Sequence, residues 1–180
     1  MATGNLHKYR EARQVLSELG IDLRHLRVDR VEIQADDLAD IAAYSAEQVA
    51  AEGRPIVVED AGLFIDHYGG FPGPYSSYAL STIGLGGVLK LMEGVKDRGA
   101  SFQSVVAFRH GGEARCFRGV VRGRIAHGIR GTSGFGYDPI FIPDEGDGRT
   151  FGEMTAEEKN ALSHRARAFR SFGEWFAASE

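Results

Sequence analysis

One cysteine, Cys116, stands in a chain of 180 residues. A single thiol excludes an internal disulfide and fits a reducing compartment. Long apolar runs are lacking too: none approaches the roughly 20 residues a bilayer span needs, and no charged-then-apolar leader opens the chain. No membrane partner is therefore expected, and a cytoplasmic location is the simplest reading. Nor is there an excess of positive charge. The 21 Lys and Arg against 25 Asp and Glu give a formal net charge of −4, with the basic residues scattered. No general affinity for nucleic acid follows from that balance.

What is abundant is glycine, 24 of 180 residues, well above the usual roughly 7%. Many backbone positions are thus kept free for tight turns or close approach to a ligand. Hydrophobic residues at 43% and charged residues at 26% describe an ordinary globular composition. No internal repeat, low-complexity tract or linker interrupts it. The expectation is one domain over residues 1–180, long enough for a real core and with room for two lobes.

Periodicity supplies the elements. Ala12, Val15, Leu16 and Leu19 recur at helical spacing from Lys8 to Leu19, and Gly20 stops the run. Ile21 to Glu32 reads as extended. Asp36 or Asp37 can cap a second helix with the stripe Leu38, Ile41, Ala42, Ser45 and Val49, ended by Gly53 and Pro55. Ile56-Val57-Val58 has the signature of a short buried strand delivering Glu59 and Asp60 at its carboxyl end. A second short apolar run, Leu63 to Ile65, follows Gly62. The stretch from Gly69 to Tyr75 reads as an irregular loop, with two short helices beyond it near Ser77 to Thr82 and Gly87 to Met92.

Phe102 to Phe108 and Cys116 to Ile125, separated by Gly111-Gly112, give a hairpin signal. Thr132 to Gly136 is a glycine-rich turn. Thr155-x-x-Glu158 is a capping box opening helical sequence toward Phe176, with Leu162, Ala166, Phe169, Phe172 and Phe176 as its apolar face. Ser163 can break that run, so one helix and two remain open. Helices, short buried strands and a hairpin in this order indicate an α/β domain with a mixed sheet.

Four constellations carry chemistry. Thr3, Gly4, Asn5, Leu6, His7 and Lys8 join a hydroxyl, a Cβ-free backbone, an amide and an ammonium at a helix start, which suits phosphate. The plainer alternative is Asn5 as an N-cap and Lys8 as a solvated residue, and this short motif alone favours it. Glu59-Asp60, with Glu32 as a second oxygen donor, suits Mg²⁺, which binds one or two carboxylates and keeps several waters. Against it stands a pair of turn acids satisfied by nearby N–H groups. Phe135, Gly136, Tyr137 and Asp138 place two aromatics around a glycine, able to stack a flat base or to belong to a core. Lys159, His164 and Arg165 form a donor-rich group that can meet a carbonyl acceptor or line a solvated helix face. Together these are the parts of a Mg²⁺–nucleoside triphosphate site.

Taken in order, "TGNLHK", "EIQADDL", "VVEDAGLFI", "GGFPGPYS", "SGFGYDPIFIP" and "EMTAEEKNALSHR" resemble the inosine triphosphate pyrophosphatase family, over Thr3 to Arg165. The "EIQ" and "GFPGPYS" details look most like its archaeal branch. The resemblance implies an elongated two-lobed α/β domain, a central sheet flanked by helices, and an active-site cleft between the lobes. It implies Mg²⁺-dependent hydrolysis of ITP, dITP and XTP to the monophosphate and pyrophosphate, commonly by a homodimer. Carried over by position, Thr3 to Lys8 hold the phosphates, Glu32 and Asp60 bind the metal, and Asp60 accepts the proton of the attacking water. Ala61, Phe135 to Asp138, Lys159, His164 and Arg165 complete the substrate site, with Phe135 stacking on the base.

Two departures stand out. Ala61 replaces the family's usual serine or threonine, removing one side-chain hydrogen bond. Only Met1 and Ala2 precede "TGN", where family members carry a longer strand, so a natural protein that starts earlier is expected. Two competing readings are a non-catalytic nucleotide-binding regulator and a pyrimidine-directed pyrophosphatase of the related septum-associated family. The serine- and arginine-rich start of the latter is not found here, and the acids Glu32 and Asp60 speak against the former.

Overall fold

The computed structural model describes residues 1–50 and 53–179. Helix α1 spans Leu6–Glu18 and buries Ala12, Val15 and Leu16, while Leu19, expected within the stripe, serves as the C-cap. Helix α2, Leu38–Gln48, is capped by the Asp37 carboxylate, which accepts from the Ala39 N–H at 2.8 Å. Ser45 sits in its buried stripe because its hydroxyl donates to the Val31 carbonyl at 2.8 Å. A hydroxyl satisfied in this way can occupy a core position that would otherwise penalise it.

Strand β1 runs unbroken over Ile56–Ile65. Glu59 and Asp60 thus lie inside a strand rather than at its end, and the two short runs read from the sequence are one element. An acid is tolerated there because Glu59 is fully buried against paired cations. Gly62 marks a close approach instead of a break: a Cβ there would stand 2.3 Å from the Gly73 carbonyl oxygen on the two-residue strand β2, Pro72–Gly73. That strand lies in the stretch read as irregular.

Helices α3, Ser76–Thr82, and α4, Gly84–Leu91, follow close to their expected places. Strands β3, Gly99–Arg109, and β4, Arg115–Ile125, flank the Gly111-Gly112 turn as the hairpin signal requires. Strand β5, Phe141–Pro143, was not foreseen. Helices α5, Ala156–Leu162, and α6, His164–Ala177, are separate, since Ser163 has extended backbone (ψ 151°). Thr155 and Glu158 form the anticipated capping box.

The strands make one five-stranded antiparallel sheet in the order β2-β1-β3-β4-β5. The α/β class holds. The expected mixed sheet is replaced by an antiparallel one; among the described residues, the parallel bridge Ala2 to Leu26 lies outside the named strands. That bridge lies immediately before "TGN" and belongs to no strand. The Ala2 N–H donates to the Val57 carbonyl at 2.8 Å, Leu26 N–H to Met1 at 2.8 Å, and Thr3 N–H to Leu26 at 3.1 Å. Met1 to Thr3 are therefore held from both sides by backbone bonds.

The chain divides into two compact units. The first comprises Met1–Ala61, Ser104–Gly119 and His164–Glu180, with its core around Leu16, Val106, Phe117, Phe169 and Phe172. Within it α1 packs on α6. The second comprises Gly62–Gln103 and Val120–Ser163, with its core around Met92, Phe102, Phe141 and Phe151.

Candidate active site

In the first unit, the polar turn is ordered by its own side chains. Thr3 Oγ1 accepts from the Asn5 N–H at 3.0 Å, and Asn5 Oδ1 accepts from the His7 and Lys8 N–H groups at 3.0 and 3.1 Å. His25 Nε2 donates to the Thr3 carbonyl at 2.9 Å, and its ring stacks on Tyr9 with centroids 4.6 Å apart. Asn5 is thus the N-cap that the plainer alternative described. Gly4 faces open space, while Leu6 and His7 are exposed. Lys8 departs from that alternative. Its side chain is only 15% exposed, with Nζ 2.9 Å from Glu59 Oε2.

Glu59 is the centre of this group. Its carboxylate, 0% exposed, also accepts from Arg165 Nε at 3.0 Å and from the Ser104 hydroxyl at 2.8 Å. Burial pushes Glu59 upward as the largest single influence. The charges of Arg165 and Lys8, with hydrogen bonds from Lys8 and Ser104, nonetheless hold it far below the usual carboxylate range. Arg165 is itself buried, and its Nη1 donates to Glu11 Oε2 at 2.6 Å. Two acids on two elements therefore fix the guanidinium plane. The adjoining His164, which opens α6, is equally buried.

Asp60 and the half-buried Ala61 follow Glu59 on β1. Burial raises the Asp60 carboxyl above its ordinary value; Lys8 opposes this, and the charges of Glu59 and Glu32 add to it. Glu32 is exposed and paired with Arg30 Nη2 at 2.5 Å. Among the described residues, no group of three or more His, Cys, Asp or Glu is placed to hold a metal ion. Mg²⁺ asks for less, because it takes one or two carboxylates and retains water. The charge of Glu32 works against the ionised form of Asp60, and a divalent cation held by the two carboxylates would relieve that opposition. The residues present fit Mg²⁺.

In the second unit, Asp138 Oδ2 accepts from Lys159 Nζ at 2.6 Å and from the Phe135 N–H at 2.8 Å. Both charged side chains are nearly sealed, at 3% and 4% exposure. The Lys159 ammonium stands 4.8 Å from the Phe135 ring centroid, a cation–π distance. Gly134, at φ +72°, makes the turn possible, since a Cβ there would meet Asp138 Oδ2 at 2.1 Å. Gly136 is likewise left-handed, at φ 65°. Tyr137 belongs to the core. Its hydroxyl donates to the Ser76 carbonyl at 2.7 Å, and burial pushes its pKa up to about 12.

The structure thus groups Thr3 to Lys8, Glu32, Asp60, Ala61, His164 and Arg165 in one unit and Phe135 to Asp138 with Lys159 in the other. Sequence reasoning missed Glu11, Arg30 and Ser104, and left Glu59 open between a metal donor and a turn acid, whereas it is the buried partner of Lys8 and Arg165. One signal was present. Lys8 and Glu11 are three apart on α1 and share a helix face.

A family model described as the Ham1 family matches residues 1–175. A dITP/XTP pyrophosphatase of Methanopyrus kandleri is 51% identical over 177 residues, covering 97% of this chain and 94% of that protein. One from Pyrococcus horikoshii is 51% identical over 174 residues, covering 96% and 93%. Among solved structures, a HAM1 protein from Coxiella burnetii superposes with a TM-score of 0.85 at 29% identity, covering 98% of this chain and 96% of that one. A nucleoside-triphosphatase, dITP/XTP pyrophosphatase, from Mycobacterium abscessus gives 0.73 at 33% identity, covering 95% of each.

Proposed function

The chain belongs to the Ham1 family, and on that premise we propose that it is a hydrolase of non-standard purine nucleoside triphosphates. It splits ITP, dITP and XTP into the monophosphate and pyrophosphate and so cleanses the nucleotide pool. The observation that carries the site is the Lys8–Glu59–Arg165 cluster in the segment that presents Asp60. Such a cluster is a costly way to build a core, since burying ions is expensive even when they are paired. It is a good way to fix cations for phosphate and base.

Glu32 and Asp60 would hold the Mg²⁺, which when bound neutralises phosphate charge and orients the triphosphate. Asp60 takes a proton from the attacking water as its oxygen bonds to the α-phosphorus. The bond from that phosphorus to the bridging oxygen breaks, and pyrophosphate leaves with the electron pair. Lys8, on the turn from Thr3 to His7, meets the growing charge on the phosphate oxygens. Phe135 offers its face to the base, backed by Gly136, Tyr137 and the Asp138–Lys159 pair. Arg165, fixed by Glu59 and Glu11, donates to a 6-oxo group, with His164 beside it and the Ala61 backbone replacing a hydroxyl. Adenine presents an amino donor there, and two opposed donors would stay buried and unpaired.

A homodimer and a cytoplasmic location belong to the same reading. Exposed Phe71, Tyr75 and Tyr78 in the second unit support the first and the single Cys116 the second. The test is a panel of ITP, dITP, XTP, ATP and GTP with Mg²⁺, scored for pyrophosphate, alongside Asp60→Asn. The 6-oxo, non-standard nucleotides are expected to turn over and the variant to lose about a hundredfold or more. Near-wild-type turnover by Asp60→Asn removes its role, and nucleotide binding without hydrolysis makes the protein a regulator.

A further inference from the structure

Arg30 is a residue for which neither the motif set nor the mechanism has a use. Its side chain is 10% exposed, yet it pairs with Glu32, one of the acids assigned to the metal, and its charge acts on the other, Asp60. Nη2 donates to Glu32 Oε1 at 2.5 Å, and Nη1 reaches the Glu59 carbonyl oxygen, immediately before Asp60, at 3.4 Å. One guanidinium thus joins the loop that carries Glu32 to the strand that carries Asp60.

We propose that Arg30 is a resident counter-cation of the metal site, occupying Glu32 until a divalent ion replaces it and so setting the metal affinity. The proposal rests on the metal assignment above. A carboxylate oxygen engaged by a guanidinium must be released, wholly or in part, before it can bind a cation. A fixed positive charge next to a second cation also repels it, and burial weakens the screening of that repulsion. Arg30 favours the charged form of Asp60 as Glu32 opposes it, so the three side chains share one electrostatic neighbourhood. Its planar fork meets Glu32 with one nitrogen and the main chain before Asp60 with the other. The arrangement selects for a divalent ion. A monovalent cation gains too little from the pair to displace a charge already held there.

The test is binding of Mn²⁺ alone to the full chain, without nucleotide, followed by calorimetry or by the loss of the free-ion spin-resonance signal. Arg30→Gln is expected to bind Mn²⁺ on the order of tenfold more tightly than wild type, and Arg30→Lys to stay near wild type because it keeps the charge. Equal or weaker binding by Arg30→Gln overturns the proposal, as does an equal gain from Arg30→Lys. If Arg30→Gln melts below assay temperature, Arg30→Met replaces it with the same expectation and the same contrary result. Glu32→Gln separates this proposal from the reading beneath it. Mn²⁺ binding that ignores Glu32→Gln removes the metal assignment itself. A Glu32-dependent affinity that is blind to Arg30 removes only the counter-cation.

Discussion

Arg165 Nε lies 3.0 Å from Glu59 Oε1, and neither side chain is more than 3% exposed. The pair joins the first residues of α6 to the middle of β1, and Lys8 from α1 closes on the same carboxylate at 2.9 Å. Three elements of the first unit are therefore tied at one oxygen pair. Residues assigned to phosphate and to base share one structural support.

Glu59→Gln keeps the volume and removes the charge. Both Lys8 and Arg165 then face a neutral amide, and breaking one partner of a buried pair typically costs about 3–5 kcal/mol. Urea unfolding at neutral pH is expected to show a loss of that order. A loss under about 1 kcal/mol would mean that the cluster is poorly coupled to the fold.

The same residue gives a pH dependence. Its folded pKa is depressed, so the unfolded chain binds the proton more readily. The stability contributed by ionised Glu59 is fully present above its ordinary value of 4.5 and drains away as pH falls below it toward the folded value. The difference in Tm between wild type and Glu59→Gln is expected to shrink as pH falls below 4.5. A gap that stays constant down to the acid limit of folding contradicts this.

Arg165→Lys keeps a positive charge but loses the planar fork that Glu59 and Glu11 hold. The ratio of kcat/KM for ITP over ATP is expected to fall about tenfold or more, one mismatched buried contact being worth roughly 1–3 kcal/mol. An unchanged ratio with a uniform drop on both nucleotides would reduce Arg165 to a support for Glu59.

Gly134→Ala places a methyl carbon 2.1 Å from Asp138 Oδ2, at a φ of +72°. The Lys159–Asp138–Phe135 arrangement must then shift. Strain of about 1–3 kcal/mol is expected in thermal unfolding, with a larger rise in KM than fall in kcat. Phe135→Ala, which leaves that turn intact, is expected to raise KM about tenfold or more through lost stacking. Unaltered KM in both variants would place the base elsewhere.

Much of this was legible in the residues. Asp37 as a cap, the Gly111-Gly112 hairpin and the Thr155–Glu158 capping box are local features, fixed by side chains within a few positions of one another. The acid pair misled because its partners are not local. Glu59 reads as a strand end until Arg165, 106 residues away, and Ser104, 45 away, are brought to it. Tyr137 could not be sorted between core and site for the same reason, as its partner Ser76 lies 61 residues back. The two-residue pairing of Met1 and Ala2 with Leu26 and Val57 is too short to leave any periodicity. What stayed hidden is contact order, not chemistry.

The central claim, water attack at the α-phosphorus, is tested most directly by hydrolysing ITP with Mg²⁺ in heavy-oxygen water and weighing the products. The account predicts one labelled oxygen in IMP and none in the pyrophosphate released. Label in pyrophosphate, or release of orthophosphate in its place, would contradict it.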